Sequence, residues 1–135
     1  MSKLSIAGFT NLGHLAHSRS FDRALPRMED KTVLITGATG GLGLVAAHRL
    51  SSPGARLIIV GRSRPKIDAA LERLSSNTIA LQADLSLLSE VKVLTNELLD
   101  REDSIDVLIN NVAVLLPERE TTSEGLETTV ATRSY

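Results

Sequence analysis

The sequence predicts an α/β domain on a doubly wound parallel sheet, with strand order 3-2-1-4 and the sheet ending at its fourth strand. Three observations predict it. Apolar strand-like runs alternate with amphipathic helical stretches from Lys31 onward. The connections are short, so each crossover returns, right-handed, to a parallel neighbour. The strand runs are continuously apolar, as a sheet covered on both faces requires.

Residues 1–30 read as an arm and residues 31–135 as the sheet domain. The arm mixes Ser, His, Arg and Gly with both phenylalanines and has no sustained period. Phe21, Leu25 and Met28 fit one helical face that could dock on the domain, although Pro26 opposes a helix there. His14 and His17 sit three apart, but no third metal ligand is near in sequence until Asp22, so a packed or solvated arm fits them better.

The first strand is the β-branched run ending at Thr36, in Lys31-Thr-Val-Leu-Ile-Thr-Gly-Ala-Thr-Gly-Gly-Leu-Gly43. Gly37 permits a sharp exit from it. Gly41, without a Cβ, lets backbone approach a pyrophosphate, and Gly43 lets the following helix pack closely on the strand. That helix runs to about Leu50, with Leu42, Val45, Ala46 and Leu50 expected on its buried face and free N–H groups at its start. Pro53 and Gly54 break the chain before the second strand, Arg56–Val60. Pro65 suits the first turn of a helix whose apolar face is Ile67, Ala70, Leu71 and Leu74.

Thr78–Gln82 is the third strand, and Ala83-Asp84-Leu85 turns the chain. Ser86 is the expected N-cap of a helix marked by Leu87, Leu88, Val91, Leu94, Leu98 and Leu99. Ile105–Ile109 is the fourth strand, with Asp106 expected at its outer end, and Asn110-Asn111 closes it. Residues 112–120 read as loop, and Thr121 with Glu124 as a capping box for a short last helix. In this order the crevice lies between the first and fourth strands, at their carboxyl ends. The glycine turn and Asn111 both sit there.

Composition excludes several functions. With 135 residues and 42% apolar content the chain is one domain with a core, and its net charge of −1 argues against a nucleic-acid or anionic-membrane partner. No aromatic residue lies between 22 and 134, so that block has no platform for stacking bases. The absence of cysteine excludes disulfides and a thiol nucleophile and fits a reducing compartment, the cytoplasm. No apolar run reaches membrane-spanning length, and Asn11 and His14 interrupt the N-terminal apolar patch too early for a secretory leader. The glycine turn lacks the Gly-Lys-Ser/Thr ending of a nucleotide-hydrolysing loop.

Three motifs together give the chain a likeness. Thr36-Gly-Ala-Thr-Gly-Gly-Leu-Gly43, Asp84-Leu85 after the third strand and Asn110-Asn111 after the fourth resemble the short-chain dehydrogenase/reductase family, over residues 31–132. Leu115-Leu-Pro-Glu-Arg119 and Glu124-Gly-Leu-Glu127 look like its retinol-dehydrogenase-like subgroup, and the arm is similar to that of dehydrogenase/reductase member 12-like proteins. The resemblance implies a Rossmann-type fold and an NAD(P)-dependent oxidoreductase acting on a carbonyl or alcohol substrate. It implies that Gly37, Thr39, Gly40, Gly41, Leu42 and Gly43 hold the pyrophosphate and adjoining ribose. Asp84 and Leu85 would take the adenine, and Asn111 and Ala113 the nicotinamide-side ribose. Two blander roles stay open: Asp84 as a cap of the following helix, and the asparagines as ties between strands.

The second strand bears on the cofactor. An NAD site wants a carboxylate near its end, whereas Val60 is followed by Gly61 and Arg62, with no carboxylate until Asp68. A guanidinium can hold a 2′-phosphate through paired hydrogen bonds, so NADP is expected over NAD, the alternative for Arg62 being a solvated turn arginine.

The family's Asn-Asn-Ala-Gly stands as Asn110-Asn-Val-Ala113 here, and Arg133 occupies a place where the family has Asn. The family's Tyr-x-x-x-Lys is absent, since Tyr135 has no following Lys. The expectation is therefore a cofactor-binding half, truncated near Thr132 and inactive alone. The alternatives are a non-catalytic nucleotide-binding or interaction module and a non-functional truncated product. Self-association through an exposed edge strand is a further expectation.

Overall fold

The computed structural model describes residues 27–52, 54–114 and 116–133. Four strands and four helices occur among them: β1 Thr32–Thr36, α1 Gly41–Ser51, β2 Arg56–Gly61, α2 Arg64–Leu71, β3 Thr78–Gln82, α3 Leu88–Arg101, β4 Val107–Asn110 and α4 Thr128–Arg133. The sheet is wholly parallel in the order β3-β2-β1-β4. Thr36 lies opposite Val60 on one side and Asn110 on the other.

Alternate residues of the strands feed different cores, which is why the central strand positions are all apolar and the polar residues stand at the strand ends. Val33, Ile35, Leu57 and Ile59 pack with Leu44 and Ala47 of α1 and Ala70 of α2. Leu34, Ile58, Val60 and Leu81 pack with Leu94 and Leu98 of α3. Met28 reaches the first of these cores. The other residues invoked for the arm, His14, His17, Phe21, Leu25 and Pro26, lie outside the described residues.

The expected buried face of α1 is corrected. Leu42 is 83% exposed and Val45 59%, while Gly43, Leu44 and Ala47 are buried. Apolar residues run almost all the way round this helix, so spacing alone cannot choose its face. Close approach to the sheet chooses it, and that requires the smallest residues, Gly43 and Ala47, against the strand.

Two expected caps are also corrected. The N-cap of α3 is Leu87, without any side-chain cap bond. Ser86 instead donates its hydroxyl and its N–H to Asp84 Oδ1, at 2.7 and 2.9 Å, because the carboxylate is the stronger acceptor. Thr121 and Glu124 do not form a capping box. The Glu127 carboxylate caps α4, accepting from the N–H groups of Thr129 and Val130 at 3.1 and 2.9 Å. Thr121 bridges Glu127 antiparallel, and Gly125, at φ +81°, turns the chain between them.

The fourth strand is also shifted, to Val107–Asn110. Asp106 sits just before it, at the outer end as expected, and ties it to the start of β1. Its Oδ2 accepts the Thr32 N–H at 2.9 Å, and its Oδ1 meets Lys31 Nζ at 2.7 Å. The lysine pulls this carboxyl below the usual aspartate range, helped by the Thr32 N–H. No helix among the described residues is long and apolar enough to cross a membrane, and no group of three metal-ligating side chains occurs among them.

Candidate functional site

Because the sheet is parallel, its four carboxyl ends share one edge. The turns after β1, β2, β3 and β4 therefore bring Gly37–Gly43, Arg62, Asp84–Leu85 and Asn111–Ala113 to that edge.

Thr36 fixes the centre. It is only 8% exposed, and its hydroxyl accepts the N–H groups of Asn111 and Val112 at 3.1 and 3.3 Å. The Asn111 side-chain amide donates to Gly37 O at 3.2 Å, so the chain after β4 is held against the glycine turn. This is the tying role left open for the asparagines. Asn110 and Ala113 are exposed at the same edge. The turn leaves β1 through Gly37 at φ +69°, where an added Cβ would stand 2.7 Å from Val112 Cγ2. A Cβ on Gly43 would stand 2.5 Å from Asn111 Nδ2. One glycine thus seats the turn, and the other lets α1 start against it.

Gly40 and Gly41 differ from these two. An added Cβ would meet nothing within 4 Å at either, so the backbone faces open space. Gly40 is the N-cap of α1 and offers no side chain to its first N–H groups. Leu42 projects from this first turn into solvent.

Thr39 links the turn to β2, since a Cβ on Gly61 would lie 2.6 Å from Thr39 Cγ2. Arg62 follows Gly61 and is exposed, its backbone oxygen accepting Gln82 Nε2 at 3.1 Å. The nearest following carboxylate, Asp68, is paired with Arg64 at 2.9 Å. A furrow of about 330 Å³ opens on Thr39 and Gly40, with Lys66 and Arg73 of the α2 side on its other wall.

Asp84 is held by Ser86 and Glu90. Its carboxylate takes the Ser86 bonds, and its N–H donates to Glu90 Oε2 at 2.6 Å. Burial pushes its carboxyl up, but the Ser86 bonds and the Arg62 guanidinium outweigh it and leave the group below the usual range. Asp84 therefore folds the turn ahead of α3, while Leu85 packs against the α3 core.

Open backbone at Gly40 and Gly41, uncapped N–H groups at the start of α1 and a nearby guanidinium make a donor set that fits the phosphates of a dinucleotide. Thr36 belongs to the glycine motif but carries no expected role there, and Lys66 belongs to no motif. A Thr ending a strand is an ordinary β residue, and one lysine on an exposed helix carries no pattern.

The family model for short chain dehydrogenase matches residues 31–133, and the chain belongs to that family. Human retinol dehydrogenase 13 is 31% identical over 102 residues, 72% of this chain and 31% of its own length. The crystal structure of a protein from Mycobacterium paratuberculosis superposes with a TM-score of 0.70 at 34% identity, over 80% of this chain and 39% of that one. A 3-ketoacyl-(acyl-carrier-protein) reductase from Brucella melitensis, solved in complex with NADH, gives 0.62 at 27% identity, over 77% and 44%. The chain spans about a third of the length of the curated relatives it matches.

Proposed function

We propose that the chain forms the cofactor-binding part of an NADP-dependent oxidoreductase of the short-chain dehydrogenase/reductase type. When bound, the nicotinamide supplies or accepts hydride. The chain's own residues bind and orient the dinucleotide. Gly37, Thr39, Gly40, Gly41, Leu42 and Gly43 hold the pyrophosphate and adjoining ribose. Asp84 and Leu85 hold the adenine, and Asn111 and Ala113 line the nicotinamide-side ribose. In this reading the proton would be supplied by the family's Tyr-x-x-x-Lys, a motif these 135 residues do not contain.

The observation that carries NADP over NAD is Arg62. It stands one residue past the end of β2, beside the glycine turn, and the carboxylate an NAD ribose requires is missing there. Titration of NADPH and NADH into the wild-type chain and Arg62→Ala tests this. Tighter NADPH binding in the wild type, lost about tenfold or more in the variant, is expected from the loss of a charge-assisted phosphate contact. Equal NADPH affinity in the two proteins overturns the assignment.

A further inference from the structure

Helix α3 begins without a cap of its own, because its N-cap is Leu87. Its first two N–H groups are satisfied from a distant part of the chain. The Glu124 carboxylate accepts from Leu88 N at 2.5 Å and from Ser89 N at 3.0 Å, one oxygen to each. Glu124 stands at the tip of a small closed turn. Thr122 N donates to Leu126 O at 2.7 Å and Gly125 N to Thr122 O at 3.0 Å, and Thr128 N donates to Glu120 O at 2.9 Å across its base. That turn belongs to the segment whose other end, Asn111 and Val112, is fastened to Thr36. On the α3 side, Glu90 holds Asp84 N and so carries the same first helical turn back to Asp84.

The segment after β4 is thus fixed to the glycine turn at one end and to the start of α3 at the other. We infer that Glu124 is a positioning residue that latches the Asn111–Ala113 side of the nucleotide site to the Asp84–Leu85 side and so sets the spacing between its two halves. The inference rests on the proposed nucleotide reading. A latch of this kind matters most for a ligand that spans both halves. Either half alone can be met without the correct spacing, whereas a whole dinucleotide cannot.

The Ser89 side chain and N–H hold the Glu124 carboxyl below the usual glutamate range against a smaller effect of burial, with lesser help from the Leu88 N–H and Lys92. The latch is therefore charged at neutral pH.

The experiment measures NADPH, adenosine 2′,5′-bisphosphate and nicotinamide mononucleotide binding, with the melting temperature, for the wild-type chain, Glu124→Ala, Glu124→Gln and the double variant Leu87→Asp/Glu124→Ala. Glu124→Ala is expected to weaken NADPH about tenfold and each fragment less than about threefold. Glu124→Gln, which keeps one acceptor oxygen, should fall between. Leu87→Asp gives α3 a local side-chain cap at its own N-cap position. It should restore the melting temperature without restoring NADPH affinity. Restoration of both makes Glu124 a helix cap only and overturns the latch, as does a Glu124→Ala chain that binds NADPH like the wild type. A wild-type chain that binds NADPH and the adenosine fragment equally also overturns it, because the two halves are then uncoupled. A wild-type chain that binds none of the three overturns the nucleotide reading itself, and the latch with it.

Discussion

The glycines of the turn after β1 do two different jobs, and single methyl groups separate them. At Gly43 an added Cβ would press on Gly37 O, on Asn111 Nδ2 at 2.5 Å and on Ala38 Cα at 3.0 Å. Gly43→Ala should therefore cost roughly 1–3 kcal/mol as overpacking and break the Asn111–Gly37 bond. At Gly40 the backbone is extended and nothing lies within 4 Å of an added Cβ. Gly40→Ala should cost under about 1 kcal/mol, as a change of N-cap, yet weaken NADPH because the methyl occupies the space a phosphate needs. Thermal melts and titrations of both variants check the contrast. Unchanged NADPH affinity in Gly40→Ala would remove the turn from the site. The glycine pattern was legible in the sequence because glycine is chosen by backbone geometry. The Thr36 hydroxyl was not, since its three partners come from the fourth strand and the two residues beyond its end, more than seventy residues away.

At the level of elements, strand identity and order were legible because a continuous apolar run has one reading once it alternates with helices. The starts of helices and their buried faces were not. Leu42 and Leu44 are equally apolar, and only contact with the sheet distinguishes them. Ser86 has the chemistry of an N-cap, but Asp84 captures its hydroxyl, and Glu124 takes over the task from 36 residues away. A second long-range tie closes the far end of α3. Its C-cap residue, Glu102, is 9% exposed in its side chain and receives the Arg56 guanidinium at 2.7 and 3.2 Å, which joins α3 to the start of β2. The arginine hydrogen bonds hold the Glu102 carboxyl below its ordinary value of 4.5 against burial. A carboxyl depressed in the folded state contributes its full stabilisation above that ordinary value and loses it as pH falls through the depressed one. Arg56 is 39% exposed, so the contribution is modest. Urea midpoints of the wild type should hold above the ordinary glutamate value of 4.5 and fall as the pH drops below it, and Glu102→Gln should start lower and fall less. An identical drop in both proteins would show that the pair does not contribute.

At the scale of the whole molecule, β4 is the exposed margin of the described sheet. It pairs only with β1, so its other side presents unpaired N–H and C=O groups. The side chains do little to guard that edge. Val107 is 37% exposed and Leu108 56%, and the register places Leu108 opposite Leu34, on the α3 face. Asp106, the charge beside the strand, is occupied by Lys31 and the Thr32 N–H, which leaves it a poor deterrent to a second strand. A short apolar edge without a free charge is a template for association. The 135-residue chain is therefore expected to form edge-to-edge oligomers at micromolar concentration. Leu108→Lys tests the cause. Because Leu108 is more than half exposed, the substitution removes little burial and should leave the melt within about 1 kcal/mol of wild type while placing a solvated cation on the edge. Sedimentation of both proteins should show a wild-type chain that associates with concentration and a variant that stays smaller. Association unchanged by the lysine would move the contact away from β4, and a wild-type chain that sediments as a monomer with a cooperative melt would show that the edge is guarded.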